Sequence, residues 1–240
     1  MSVNTNNRPI VLASSSPRRR ELLGLSGLAF EVRPAAADET PYPDERPEAY
    51  AQRMSRTKAA LVAAAESRPG TVVIGADTIV VLDDQPGPGD SASRENILGK
   101  PRDAGEAAAM LRRLRGRRHR VITAVSVTGP DGAAEQHDWV TASVPMRAYS
   151  EDEIEAYVAT GNPMDKAGAY AIQFAGFQPV DQQHFTDCFA TVMGLPTCTV
   201  LRLLARTGVE ASIDPPGSLG DCHHFEPGAC PIYPRIDKGK

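Results

Sequence analysis

The sequence predicts an α/β protein. Three observations carry that prediction: a strand, loop and helix signature from Ile10 to Leu23; a strongly β-branched run from Thr71 to Leu82; and helical patterns on either side of that run, at Arg46 to Glu66 and Asp103 to Arg115. With 240 residues, 41% of them hydrophobic and 23% charged, the chain can bury a substantial core.

In the first signature, Ile10, Val11 and Leu12 are β-prone, Ser14, Ser15 and Ser16 follow, and Pro17 has the fixed φ that suits a first helical turn. Such a junction aims unpaired backbone N–H groups and the positive end of a helix dipole at one spot, where Arg18, Arg19 and Arg20 add guanidiniums. Cations there oppose the dipole unless an anion compensates, so the stretch reads as a phosphate site. The plain alternative is a serine N-cap with a solvated first turn. The glycines of a Walker loop or a dinucleotide fingerprint are absent.

Leu28 to Val32 reads as a short extended segment leading to the acidic pair Asp38-Glu39, which alone is an ordinary solvated loop feature. Arg46 to Glu66 is an alanine-rich helix opened by Pro47 and Glu48, with Met54, Lys58, Leu61 and Ala65 at helical spacing on one face. A lysine on an apolar stripe either snorkels to its edge or lines a cleft, and the pattern alone favours snorkelling. Thr71 to Leu82 reads as a central strand buried on both faces, interrupted by Asp77. An ionised carboxylate in such a strand is costly unless paired, hydrogen-bonded or on a metal, which marks Asp77 as functional. Gly75 and Ala76 before it point to a close approach to the backbone.

Asp83 to Asn96 reads as a long flexible excursion ending at Ile97-Leu98-Gly99-Lys100-Pro101. Asp103 and Glu106 form a capping-box signature for a helix burying Ala107, Met110, Leu111 and Leu114. The basic run Arg112 to Arg120 is the one candidate nucleic-acid patch, although arginines at a helix C-terminus favour the dipole and point into solvent. Val121 to Thr128 and Asp138 to Arg147 read as strands joined by a turn at Gly129-Pro130-Asp131-Gly132. Ser150 and Glu153 cap a helix carrying Ile154, Tyr157 and Val158 that stops at Gly161, and Leu195 to Arg206 forms the last helix, with Pro196 in its first turn.

The N-terminal Met1 to Arg8 lacks an apolar signal region and no apolar run approaches a membrane span, so cytoplasmic residence, with no membrane partner, is expected. The four cysteines are then expected as thiols rather than disulfides. A net charge of −4 argues against a nucleic-acid coat. Residues 209–240 read as a Pro/Gly-rich, partly ordered tail; its Cys222, His223, His224 and Cys230 lack the paired spacing of a structural zinc site.

Taken together, four motifs in order resemble the Maf family of nucleotide pyrophosphatases: Ala13-Ser14-Ser15-Ser16-Pro17-Arg18-Arg19-Arg20-Glu21-Leu22-Leu23, Gly75-Ala76-Asp77-Thr78, Leu98-Gly99-Lys100-Pro101, and Asp165-Lys166-Ala167-Gly168-Ala169-Tyr170-Ala171-Ile172-Gln173. A fifth, Gly194-Leu195-Pro196, opens the last helix. The resemblance covers about Pro9 to Gly208, so residues 1–208 are expected as one family domain. It implies a mixed, twisted sheet flanked by helices, with two lobes around a deep cleft, and hydrolysis of nucleoside triphosphates to monophosphate and pyrophosphate.

Carried over by motif, the catalytic carboxylate falls on Asp77 and the second acidic residue on Glu39. The phosphate-binding positions fall on Ser14, Arg18, Arg19, Lys58, Lys100 and Lys166. Asp77 and Glu39 are expected to hold Mg2+ or Mn2+, hard ions that suit oxygen ligands. Arg18, Thr78 and Gln173 fall where the branch acting on dTTP and UTP carries its specificity residues. Glutamine can pair with the N3–H donor and carbonyl acceptors of uracil and thymine, or, flipped, with cytosine, which keeps CTP as a secondary substrate. A homodimer is also expected. Two rivals remain: a pyrophosphatase for other, damaged nucleotides, and a non-enzymatic nucleic-acid-binding or cell-division regulatory protein. The chain departs from the family pattern at Asp187-Cys188-Phe189, where Gly-Ser-Tyr is usual, in the long 83–96 loop, and in the tail after Ser212.

Overall fold

Strand β1 (Ile10–Leu12) is completely buried and pairs with two parallel neighbours. One is β2 (Glu31–Val32), a short, exposed edge strand; the other is β3 (Val72–Asp84), the long β-branched strand. The computed structural model describes residues 8–84, 94–129, 135–174 and 176–209. Within them the sheet runs β2-β1-β3-β5-β6, with β5 at Arg118–Thr128 and β6 at Gln136–Pro145, while β4 (Arg94–Leu98) pairs antiparallel with the far end of β3. The sheet is therefore mixed and open, and helices flank it. No described helix is long and apolar enough to cross a membrane.

The chain divides into two compact units, and the division falls inside β3, β5 and β6. Among the described residues, the first comprises 8–77, 123–129, 135–140 and 188–209; the second comprises 78–84, 94–122, 141–174 and 176–187.

In the first unit, α1 (Pro17–Gly24) starts at Ser16, whose hydroxyl accepts from Arg19 N, and buries Leu22 and Leu23. Helix α2 (Pro47–Ala64) buries Tyr50, Ala51, Met54, Ser55, Lys58, Ala59 and Val62. That face corrects the stripe read from sequence: Met54 and Lys58 lie on it, whereas Leu61 is 45% exposed and Ala65 is also exposed. Val11, Ala13, Ala59, Val62 and Val73 form a common apolar cluster where α2 meets the sheet. Helix α5 (Phe189–Met193), absent from the sequence reading, ends at Gly194 with φ 109°, and α6 (Thr197–Arg206) follows with Pro196 as its N-cap residue rather than inside its first turn.

In the second unit, α3 (Ala104–Leu114) buries the four residues read from sequence. Only half of its expected capping box forms. Asp103 accepts from Glu106 N, but the Glu106 carboxylate accepts from Arg102 N instead of the N-cap amide. Helix α4 (Glu151–Ala159) carries the complete Ser150–Glu153 box. Strand β4 corrects the reading of 83–96 as excursion throughout: the chain returns against β3, and only 85–93 lie outside the described residues. The turn at Gly129-Pro130-Asp131-Gly132, from Pro130 on, and the tail with Cys222, His223, His224 and Cys230 also lie outside them.

Two 3-10 turns at Asn162–Asp165 and Ala167–Ala169 precede the Tyr170–Gln173 segment. The basic run is split. Arg112 and Arg113 occupy the last turn of α3, as expected, but Arg118, His119 and Arg120 open β5. Arg112 and Arg115 pair with Glu151, and Arg120 pairs with Asp83 at 2.8 Å.

Candidate active site

The close approach foreseen at Gly75 is to α2. A Cβ at Gly75 would lie 2.2 Å from Ser55 O and 2.8 Å from Ala59 N, so only glycine lets the helix backbone seat on the strand. Beside that contact, Ser55 Oγ and Ser126 Oγ share a buried hydrogen bond at 3.0 Å. The helix face pinned in this way projects Lys58 toward Asp77. Its Nζ donates to Asp77 Oδ1 at 2.6 Å and pairs with Glu39 Oε1, also at 2.6 Å. Lys58 is 9% exposed and Asp77 8%, so snorkelling is overturned: the ammonium is held inward because a buried carboxylate needs a cation there.

Glu39 reaches this point from a loop clamped to α2. Tyr50 Oη donates to Glu39 O at 2.8 Å. Three residues along, Arg53 forms a two-pronged ion pair with Glu45 at 2.7 and 2.6 Å, donates to Thr40 O, and stacks its guanidinium 3.9 Å from the Tyr42 ring centroid. Asp38, the other half of the acidic pair, accepts from Thr40 N and Thr40 Oγ1 and so shapes the turn. Burial, with help from Asp77 and Glu39, pushes the Tyr50 phenol up to about 12, so it remains a donor.

The serine–arginine junction supplies positive charge in the same unit. Ser14 Oγ accepts from Ser16 N at 3.2 Å and from the Arg19 guanidinium at 3.3 Å, while Arg19 Nε donates to Gly194 O at 2.8 Å. Burial lowers the Arg19 pKa; the negative charges of Asp77 and Glu39 work the other way, and Arg18 adds to the lowering. Arg18 itself is half-buried, and its side chain forms no hydrogen bond or ion pair among the described residues. Ser14, Arg19, Lys58, Glu39 and Asp77 thus form one electrostatic group.

The remaining predicted residues belong to the second unit. Thr78 is half-buried on β3, Lys100 is exposed just after β4, and Gln173 is exposed in a turn. Lys166 is buried, with Nζ donating to Asn162 O and the Asp165 carboxylate. Asp187, the first residue of the departure from the family pattern, accepts from Ser143 N at 2.6 Å on β6.

For a metal ion, no described cluster offers three or more His, Cys, Asp or Glu side chains. Two carboxylates do converge on a single cation, however, and Glu39, with a side chain 51% exposed, faces water. One or two carboxylates, with water and phosphate oxygens completing the shell, is the donor set typical of Mg2+, so Asp77 and Glu39 fit such an ion.

The family model for Maf-like protein matches residues 9–207. The chain belongs to the Maf family. Among curated Maf relatives named dTTP/UTP pyrophosphatase, that of Thermomicrobium roseum is 46% identical over 205 residues, 85% of this chain and 86% of its own. That of Anaeromyxobacter dehalogenans is 45% identical over 201 residues, 83% and 94% respectively. The Syntrophotalea carbinolica protein is 41% identical over 237 residues, covering 95% of this chain and 100% of its own. The Staphylococcus aureus Ham1 structure aligns with a TM-score of 0.34 and 17% identity over 59% of this chain and 73% of its own, too distant a likeness to bear on fold or function.

Proposed function

We propose that this Maf-family chain hydrolyses pyrimidine nucleoside triphosphates, dTTP and UTP, to the monophosphate and pyrophosphate. The observation that carries the reading is the buried Lys58 ammonium gripped by Asp77 and Glu39, with the Ser14 and Arg19 junction beside it. Phosphoryl hydrolysis requires charge neutralisation and an aligned water more than covalent chemistry.

In this reading Asp77 accepts a proton from a water whose oxygen attacks the α-phosphorus. The bond from that phosphorus to the bridging oxygen breaks, and pyrophosphate leaves with the bonding pair. Arg18, Arg19 and Lys58 neutralise the charge gathering on the leaving group. Arg18 is suited to an incoming phosphate because no described side chain already compensates it. Asp77 and Glu39 would hold a Mg2+ or Mn2+ ion, whose chemistry when bound is charge neutralisation at the phosphates. The roles read for Lys100 and Lys166 in phosphate binding, and for Thr78 and Gln173 in base choice, rest on their motifs. The same reading places the enzyme in the cytoplasm.

The deciding experiment is a panel of nucleoside triphosphates with magnesium, assayed for pyrophosphate, with Asp77→Asn alongside. Pyrophosphate release from dTTP and UTP that collapses in the variant is the expected result. Release of orthophosphate only, or none from any nucleotide, refutes it.

A further inference from the structure

The segment that carries Lys166 and Gln173 passes through two successive left-handed residues, Gly168 at φ 68° and Ala169 at φ 60°. Alanine does not adopt that conformation unaided, so its surroundings must hold it. Gly168 N donates to Gly99 O at 3.1 Å, and a Cβ at Gly168 would come within 3.0 Å of Val80 Cγ2. Immediately after the turn, Tyr170 Oη and His119 Nε2 share a buried hydrogen bond of 2.8 Å, with the rings edge to face at 5.4 Å between centroids.

His119 is 2% exposed, and its other ring nitrogen, Nδ1, has no hydrogen-bond partner among the described residues. A phenylalanine would fill the same interior of β5 without burying an unpaired nitrogen. The imidazole is therefore a net liability unless its single bond fixes something. What it fixes is the phenol that closes the strained turn.

We propose that His119 is a positioning residue: by anchoring Tyr170 it holds the left-handed Gly168-Ala169 turn that sets Lys166 and Gln173 in place. The functional weight of that role rests on the pyrophosphatase reading above, because Lys166 and Gln173 matter only if they meet the nucleotide.

The test uses the full-length chain with His119→Phe, Tyr170→Phe and the double variant. Amide hydrogen exchange is followed at Gly168 and Ala169, whose N–H groups bond Gly99 O and Lys166 O, with β3 as the internal reference. Each single variant should lose protection at those amides by roughly tenfold while β3 is unchanged, as expected for one lost hydrogen bond. In steady-state assays KM for UTP should rise roughly five- to tenfold, with kcat within about twofold, and the UTP-to-GTP ratio should fall.

The double variant replaces both partners by apolar groups, so it should melt above either single variant, each of which leaves one buried polar partner unpaired, and yet keep the exchange and KM changes. Wild-type protection and KM in the double variant would show that the pair only packs, and would overturn the proposal. If the single variants fail to fold, the double variant decides the matter by the same two readouts. A wild-type protein that releases no pyrophosphate from any nucleotide defeats the pyrophosphatase reading, while the exchange data still report whether His119 holds the turn.

Discussion

Two carboxylates meeting one buried ammonium decide what single substitutions at the site should do. Asp77→Asn keeps the shape and leaves Lys58 paired with Glu39, so the fold should persist while turnover drops by at least about two orders of magnitude, the scale of a lost general base. Near-normal pyrophosphate release in that variant would remove Asp77 from the mechanism. Lys58→Met leaves Asp77 buried without its cation. Urea denaturation should show destabilisation toward the low end of the roughly 3–5 kcal/mol typical of a broken buried pair, because Glu39 stays open to water, together with lost activity. His119 gives a different signature. Burial pushes its imidazole down to about 3, against about 6.5 in an unfolded chain, so it stays neutral in the fold where the unfolded chain takes up a proton. Its contribution is fully present above pH 6.5 and is lost as pH falls toward 3. His119→Phe should therefore flatten the acid side of the stability curve between pH 6 and 4 by up to about 1 kcal/mol per pH unit, measured as unfolding free energy against pH.

At the scale of elements, the site exists because α2 lies directly on β3. Gly75→Ala puts a methyl group 2.2 Å from a helix carbonyl, which backbone cannot yield cheaply, so the variant should lose both soluble yield and activity. Arg53→Ala removes the clamp on the Glu39 loop without touching the carboxylates; its melting temperature should fall by only a few degrees, with a larger proportional loss in kcat. An unchanged kcat would mean that Tyr50 alone seats Glu39. Much of this arrangement could be read from the chain. Asp77 stood out because a charge inside a β-branched run has no solvent face to turn to, and Gly75 announced a close contact. The helical pattern alone points Lys58 the wrong way, because a helical wheel gives the face of a residue but not what lies opposite it, and here a carboxylate from β3 draws the ammonium inward. Strand β4 was hidden because Arg94-Glu95-Asn96 has no apolar alternation, and α5 because five residues are too few for a helical period. His119 is masked inside a run of arginines, although it is the basic member of that run that the fold buries.

For the whole molecule, the distribution of charge favours a free nucleotide over a polymer. The net charge is −4, and Arg112, Arg115 and Arg120 of the basic run are paired with Glu151 or Asp83. The most discriminating prediction then concerns the base. Gln173 is exposed, so its carboxamide is available to a ligand, and it offers one acceptor and one donor. Uracil and thymine present an N3–H beside carbonyl oxygens and can satisfy both. A carboxylate at the same position only accepts: it would suit the N1–H and N2–H groups of guanine and repel a pyrimidine carbonyl. The wild-type protein should accordingly hydrolyse dTTP and UTP faster than GTP or ATP, and Gln173→Glu should erode that preference by roughly tenfold or more in kcat/KM, the scale set by one mismatched polar contact. Two reference points keep the measurement interpretable. Asp77→Asn should depress every substrate alike, and Gln173→Ala should weaken pyrimidine binding without gaining purine turnover. A wild-type enzyme that turns over GTP or ATP faster than UTP would overturn the assignment of base choice to Gln173 and leave the phosphate chemistry of the first unit standing.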